Sequence, residues 1–360
     1  MGVSRFLLMA TLALSACTAR PAPEVLAPQG VAAPAAADVV RIHVVTTRER
    51  MPDRPYAFGA DRAPEPSYAA FDISIPPQHQ PGVIEWPAEG RVPDPATAFV
   101  TLRRTDLDRA ALLRAASNTA AGVYVHGFNT SFQEALYRTA QMSADVEIEG
   151  VPILFSWPSE AHVAAYLTDR DAADYSRDAL ADLLAQLAAP RRPDDPLLVL
   201  AHSMGARLTM EAMRQLRLTG QDAVLNRLEV VLAAPDIDLD LFREQMTVIG
   251  STRHPVSVLV SSDDRTLEVS SRLSSRRTRL GLVDVHDPRV QEAARAMGVR
   301  VIDITSLPSS DIPHRRYLGL ISSGEIAQVE TALGGIREAG AFVFDSIGLT
   351  LRRIETVLTE

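Results

Sequence analysis

The sequence is poor in several features that would direct it to common functions. It holds one cysteine, Cys17, in 360 residues, which excludes an internal disulfide and a cysteine-based metal site. It has no run of Lys or Arg, and its formal net charge is -9. A nucleic acid would be repelled by that balance, and no basic patch offsets it locally, so no nucleic-acid partner is expected. The N-terminal apolar run, 6–14, is too short to span a bilayer comfortably as a permanent helix. No internal repeat is present. The eight histidines are few enough to weigh one by one. What the chain does contain is apolar material, 46% against 22% charged residues, so a packed core is expected rather than disorder. The length allows one large domain or two small ones.

From Val39 onward, strand-like runs organise the chain. Val39-Val40-Arg41-Ile42-His43-Val44-Val45 reads as a first strand. Residues 50–100 are Pro-rich and poorly periodic, with strand-like pieces at 71–75 and 98–102, and read as an N-terminal elaboration on a main sheet. Short apolar runs at 122–125, 153–155, 197–200, 228–232, 256–260 and 299–304 then alternate with helical stretches. Near-continuous apolar strands are those buried on both faces. The clearest helix places Leu180, Leu183, Leu184 and Leu187 on one stripe, with Asp178 and Asp182 off it. Strand and helix in alternation predict an α/β fold with a mostly parallel central sheet flanked by helices. In such folds chemistry collects at the carboxyl ends of the strands.

The motifs fall at those ends. Leu197-Leu198-Val199-Leu200-Ala201-His202-Ser203-Met204-Gly205-Ala206 is a buried strand running into a serine and then a helix. A nucleophilic serine on a tight strand-to-helix turn needs small neighbours two residues before and after, and Ala201 and Gly205 supply them. Alanine stands where glycine is usual, a modest departure. The simpler alternative is a serine N-cap. Gly122-Val123-Tyr124-Val125-His126-Gly127-Phe128-Asn129 is a strand ending in His-Gly. In the α/β-hydrolase layout that turn donates one backbone N–H to an oxyanion hole and the residue after the nucleophile donates another, here Phe128 and Met204. His126 precedes the nucleophile and reads as a structural histidine.

That layout orders the triad as Ser, acid, His. Three histidines follow Ser203: His254, His286 and His314. His254 precedes a strand and enters at the wrong end of the sheet. His286 lies in the connection before the last strand. His314 follows the last strand, where a base can lean over the nucleophile. For the acid, Asp264 and Asp236 each close a strand; the position of its strand favours Asp264, and either could be a helix N-cap.

At these residues the sequence resembles bacterial α/β hydrolases known only as a domain of unknown function, many of them lipoproteins. The matching strings are Ser74-Ile75-Pro76-Pro77, Gly82-Val83-Ile84-Glu85-Trp86-Pro87, His126-Gly127-Phe128-Asn129, Phe155-Ser156-Trp157-Pro158-Ser159 with Tyr166 and Asp169, Ala201-His202-Ser203-Met204-Gly205, Ala234-Pro235-Asp236-Ile237-Asp238 and the stretch 261–267. The resemblance runs over about 41–317. It implies the α/β-hydrolase fold, hydrolase chemistry and no particular substrate. In its pattern the acid matches Asp264, not Asp263, and the base matches His314. It would place Phe128 and Trp157 near the site mouth, with core packing the alternative for each. Leu14-Ser15-Ala16-Cys17 resembles the bacterial lipobox, which implies cleavage before Cys17, a diacylglyceryl thiol and, with Thr18 next, an outer-membrane anchor facing the periplasm. The expected organisation is a signal peptide over 1–16, a lipid-anchored Ala/Pro-rich tether over 17–38 that cannot pack a core, and a hydrolase domain over 39–360. The apolar spacing of 339–360 suits a helix. The expected function is hydrolysis of an ester, thioester or amide of an unknown acyl substrate by Ser203, Asp264 and His314, without metal or organic cofactor. The competing expectation is a non-catalytic envelope lipoprotein that uses the scaffold as a binding module.

Overall fold

In the computed structural model, residues 20–117, 119–146, 150–273, 277–307, 313–322 and 343–344 are described. The expected signal peptide and Cys17 therefore lie outside the described residues. Among the described residues ten strands build one sheet: β1 (Asp38–Arg50), β2 (Phe58–Ile75), β3 (Val100–Leu107), β4 (Ala121–Val125), β5 (Val151–Ser156), β6 (Leu197–His202), β7 (Leu228–Ala233), β8 (Ser257–Val260), β9 (Arg300–Asp303) and β10 (Val343–Phe344). Their order is β10-β9-β8-β7-β6-β4-β5-β1-β2-β3. From β10 to β1 every pair is parallel, while β1–β2 and β2–β3 are antiparallel. The elaboration before residue 100 thus continues the main sheet at one edge.

Among the described residues the helices are α1 (Arg109–Ala116), α2 (Phe132–Asp145), α3 (Tyr166–Tyr175), α4 (Arg177–Ala188), α5 (Met204–Leu218), α6 (Asp222–Leu225), α7 (Leu239–Ile249), α8 (Arg265–Leu273), α9 (Pro288–Met297) and α10 (Tyr317–Ser322). Two apolar cores result, as the run of doubly buried strands requires. The stripe on α4 buries Leu180, Leu183, Leu184 and Leu187 in one core, together with Val123, Val199, Leu208 and Val230. The other core holds Phe71, Phe99, Phe132 and Tyr137 against Ile42 and Leu154. Each fully buried leucine contributes about 1.5–3 kcal/mol relative to exposure. The start of α2 is set by Ser131, which accepts from the backbone N–H of Glu134 while the Glu134 carboxylate accepts from the Ser131 N–H, a reciprocal cap.

Strand β2 is far longer than the 71–75 piece the sequence suggests. Its outer half contains Pro64 and Pro66, which cannot donate to a ladder. The pairing with β1 absorbs them by register shifts on either side of Arg48. Such bulges twist a strand and re-aim its side chains, and Arg48 ends up fully buried.

The predicted tether needs correction. Its described part, from Arg20, packs on the domain. Residues Pro23–Leu26 form a 3-10 turn with Leu26 fully buried. Gln133 Nε2 donates to the Pro21 carbonyl at 2.6 Å, Tyr137 Oη to the Val25 carbonyl at 2.8 Å, and the Gln29 N–H to the Thr101 carbonyl at 3.1 Å. Composition flagged the segment as featureless, yet one leucine and a few carbonyls suffice when a preformed surface receives them. The expected helix over 339–360 also meets a correction: Val343 and Phe344 pair in parallel with Val301 and Ile302, and the rest of that segment lies outside the described residues.

His79 bridges the elaboration to α2. Its Nδ1 lies 2.7 Å from Glu85 Oε2 and its Nε2 2.9 Å from Asp145 Oδ1. Burial alone would lower its pKa, but the hydrogen bonds to Asp145 and Glu85 outweigh that and raise it above 6.5. A raised folded-state pKa means that the contribution is complete below the unfolded value and fades as pH climbs through the folded one. The stability difference between wild type and His79→Gln, read from urea unfolding, should be largest near pH 6 and shrink toward pH 9. A difference that does not vary over that range would contradict the protonated bridge.

Candidate active site

The strand-to-helix turn at Ser203 is strained as the sequence demands. Ser203 has φ 54 and ψ -119, a conformation that side chains other than glycine's adopt at a cost of about 1–3 kcal/mol. Its N–H donates to the Ala233 carbonyl at 3.0 Å, and its carbonyl accepts from the Asp236 N–H at 3.2 Å. The end of β7 therefore clamps the turn. Gly205 must be glycine, since a Cβ there would lie 2.3 Å from the His126 carbonyl oxygen and 2.6 Å from that of Val125. At Gly127 a Cβ would lie 2.9 Å from the Ser203 Cβ and 2.8 Å from His202 Nδ1. The His-Gly turn after β4 and the serine turn after β6 are thus in contact. The backbone N–H groups of Phe128 and Met204 have no acceptor among the described residues. The other non-glycine residues with positive φ, Asn129, Ala161 and Ala234, all follow β4, β5 and β7 at this same edge of the sheet.

Ser203, His202, His314, Phe128, Tyr166 and Asp236 line one cavity of about 530 Å³. His314 Nδ1 is 2.7 Å from Asp264 Oδ2, with both side chains buried. The other oxygen of Asp264 accepts from the N–H groups of Thr266 at 3.0 Å and Leu267 at 3.1 Å. Asp264 thus caps α8 and holds the imidazole at once, so the two roles weighed for it are not exclusive. Its neighbour Asp263 takes a different task. It holds Arg316 through two contacts of 2.5 and 2.9 Å, and Arg316 also donates to Ser261. The Arg316 hydrogen bonds bring the Asp263 carboxyl down to about 2. Consecutive acids after β8 therefore tie down consecutive parts of the His314 loop. His202 adds a third tie, with Nε2 donating to the His314 carbonyl at 3.0 Å. Burial, then the proximity of His314, push the His202 pKa well below its ordinary value, consistent with a neutral ring.

Asp236, the rival acid, is committed elsewhere. It accepts from Tyr166 Oη at 2.9 Å and Ser270 Oγ at 2.6 Å, and pairs with Arg279 at 3.2 Å. The cap of α7 falls instead to Asp238, which accepts from Asp240 and Leu241. Of the other histidines, His254 is half-buried with Nε2 2.9 Å from the Pro193 carbonyl, and His286 is exposed. His126 is buried and stacked on Trp157 at 4.8 Å. Burial and the nearby Arg48 lower its pKa to about 3. Its Nδ1 is 2.9 Å from the Gly127 carbonyl, and its Nε2 is 3.1 Å from the Trp157 carbonyl and 3.2 Å from Ser156 Oγ. Kept neutral by burial and Arg48, the ring can donate to only one of the two carbonyls. Trp157 is fully buried beneath the site, whereas Phe128 lines the cavity edge-on to Tyr166.

Two buried groups were given no role from the sequence. Arg48 donates to Ser156 Oγ at 2.9 Å and to the carbonyls of Gly59, Ser159 and Thr130 at 2.8, 3.0 and 2.9 Å. Desolvation lowers its pKa to about 10, opposed by the charges of Asp169, Glu134 and Glu160, so it stays protonated at neutral pH. Asp169 accepts from the Asn129 N–H at 3.2 Å, Ser159 Oγ at 2.6 Å and the Glu160 N–H at 2.7 Å. Together they hold the loops after β4 and β5. The string Phe155-Ser156-Trp157-Pro158-Ser159 with Asp169 carried a trace of this; Arg48, beyond the Val39–Val45 run, carried none.

Glycine adopts the Ser203 backbone conformation without strain. Ser203→Gly should therefore be more stable than Ser203→Ala by about 1 kcal/mol in urea unfolding. Equal midpoints would mean that the turn is not strained.

Comparison with known proteins agrees with this geometry. A model of the family of alpha/beta hydrolases of unknown function (DUF900) matches residues 103–332. An uncharacterized protein of Nostoc sp. (strain PCC 7120), alr1448, is 40% identical over 62 residues, a stretch that covers 17% of this chain and 16% of that protein. With the family match spanning more than half its length, and with the sheet and turns described above, the chain belongs to the alpha/beta hydrolases of unknown function.

Proposed function

We propose that the protein is a serine hydrolase that cleaves a carboxylic ester through an acyl-enzyme on Ser203. The observation that carries this reading is the 2.7 Å contact between His314 and Asp264, with His314 and the strained Ser203 on the wall of one cavity. In the proposed reaction His314 Nε2 takes the Ser203 proton as Oγ attacks the acyl carbon. Asp264 fixes the tautomer through Nδ1 and stabilises the imidazolium. The N–H groups of Phe128 and Met204 receive the developing oxyanion. His314 then gives its proton to the leaving alkoxide as the C–O bond breaks. Water attacks the acyl-enzyme with His314 again as base, releasing the acid and restoring Ser203. Asp236 is assigned to holding Tyr166 and Ser270 at the cavity wall, not to the imidazole.

A fluorophosphonate probe should label the wild-type protein and leave Ser203→Ala unlabelled, with turnover of a short-chain ester lower by roughly 10⁴ or more. Absence of labelling in the wild type would favour the binding-module alternative. Asp264→Asn should lower turnover by about 10³–10⁴ with little loss of stability, because asparagine still caps α8. Asp236→Asn should instead cost stability, since it removes the carboxylate that pairs with the buried Arg279, and should affect turnover far less. The reverse ranking in kcat between two folded variants would move the acid to Asp236.

A further inference from the structure

The N-terminal segment does more than pack. Arg20 and Trp86 line the cavity that holds Ser203, and with Glu134 they also line a second cavity of about 780 Å³ beside it. Arg20 donates to Asn129 Oδ1 at 2.7 Å and to the Asn129 carbonyl at 3.0 Å, and pairs with Glu134 at 3.0 Å. Asn129 belongs to the turn beside the serine. The first described residue of the chain is therefore fastened at the mouth of the catalytic cleft. Only three peptide steps separate it from Cys17, a reach of at most about 11 Å. A diacylglyceryl group on Cys17 would hold the cleft mouth within the thickness of a headgroup layer from the acyl chains.

The rim of the cleft supplies a second, independent observation. Large apolar side chains that a soluble surface has no reason to gather are exposed around it. Val163, 69% exposed, and Val269, 53% exposed, line the serine cavity. Val92, 81% exposed, lines the neighbouring cavity. Leu167, 64% exposed, lines a third hollow that shares Tyr166 and Asp236 with the first. Exposed Arg91, Arg170 and Arg265 line the same hollows, Arg91 together with the carboxylates of Glu24 and Glu89. An apolar rim studded with arginine suits an interface in which hydrocarbon lies below anionic phosphate.

We propose that the catalytic cleft opens directly onto the membrane surface and that its substrate is the fatty acyl ester of a membrane amphiphile. The substrate class rests on the serine-hydrolase reading, whereas the orientation does not. Hydrolysis would add water across the acyl C–O bond and yield a free fatty acid and the deacylated lipid alcohol.

Once Cys17 carries lipid, an introduced cysteine is the only free thiol, because the sequence has no other. Full-length lipidated Val92→Cys, Leu167→Cys and, as a distant control, the exposed Leu218→Cys on α5 would each be labelled with an environment-sensitive fluorophore. They would then be placed in phosphatidylethanolamine–phosphatidylglycerol vesicles containing a nitroxide-bearing lipid. The probes at 92 and 167 should be quenched and the probe at 218 should not. Fatty acid release from the same vesicles should fall about tenfold or more in V92D/L167D, with fluorophosphonate labelling of Ser203 unchanged. Unquenched rim probes on vesicle-bound protein, a Cys17 without lipid, or vesicle hydrolysis untouched by V92D/L167D would each overturn the proposal. Cleavage of a soluble short-chain ester without phospholipid hydrolysis would overturn the substrate class. Quenched rim probes on a protein that no fluorophosphonate labels would support the orientation and strike the hydrolase reading, with the substrate class that rests on it.

Discussion

The backbone reversal at Ser203 constrains everything around it. A non-glycine residue at φ 54 persists only if its surroundings hold it there. The hold comes from three directions. The Ala233 carbonyl and the Asp236 N–H grip the turn from β7. The carbonyls of Val125 and His126 press on Gly205 from β4. Behind the turn, β6 is paired on both edges along its length. Small residues at Ala201 and Gly205 follow from that crowding, and so does Gly127, whose missing Cβ lets the β4 turn come up to Ser203. Three further non-glycine residues in positive φ at the same sheet edge make that edge the place where the described part of the fold stores strain.

The loops facing the serine are held by buried charge, not by apolar packing. The Arg48 guanidinium replaces its lost hydration with three carbonyls and a hydroxyl. Burying an unpaired cation costs several kcal/mol, so each of those acceptors is obligatory. Asp169 balances it from the other side of the same loops. Arg48 also explains the neutrality of His126. It donates to Ser156, whose hydroxyl lies against His126 Nε2, and its charge disfavours a second proton on that ring. The cavity wall, the turn bearing Phe128 and the floor at Trp157 thus share one polar network.

Much of the sheet was legible because its signals are local. Apolar runs marked β4 to β9 to within about two residues, and the stripe on α4 fell where its leucines repeat. The length of β2 was illegible because its prolines argue against a strand, and only bulges in the partner reconcile them. The docking of 20–38 was illegible because Ala and Pro advertise no face. Its stability comes from a single buried leucine and from donors on α2 more than a hundred residues away.

The sequence by itself determined the turn at Ser203, since a buried strand, small flanking residues and a following helix are written within ten positions. It also limited the histidine partners to three, through chain order alone. Local pattern alone did not separate Asp236 from Asp264, since each is a strand end followed by a helix; only the expected place of its strand and the family resemblance favoured Asp264. Tertiary structure separates them. Strand β8 lies beside β9, whose continuing loop brings His314 to Asp264, while Arg279, Tyr166 and Ser270 fill the coordination of Asp236 from elements distant in the chain. A hydrogen bond between residues fifty positions apart is fixed by the order of strands in a sheet, and that order is a property of the packed whole.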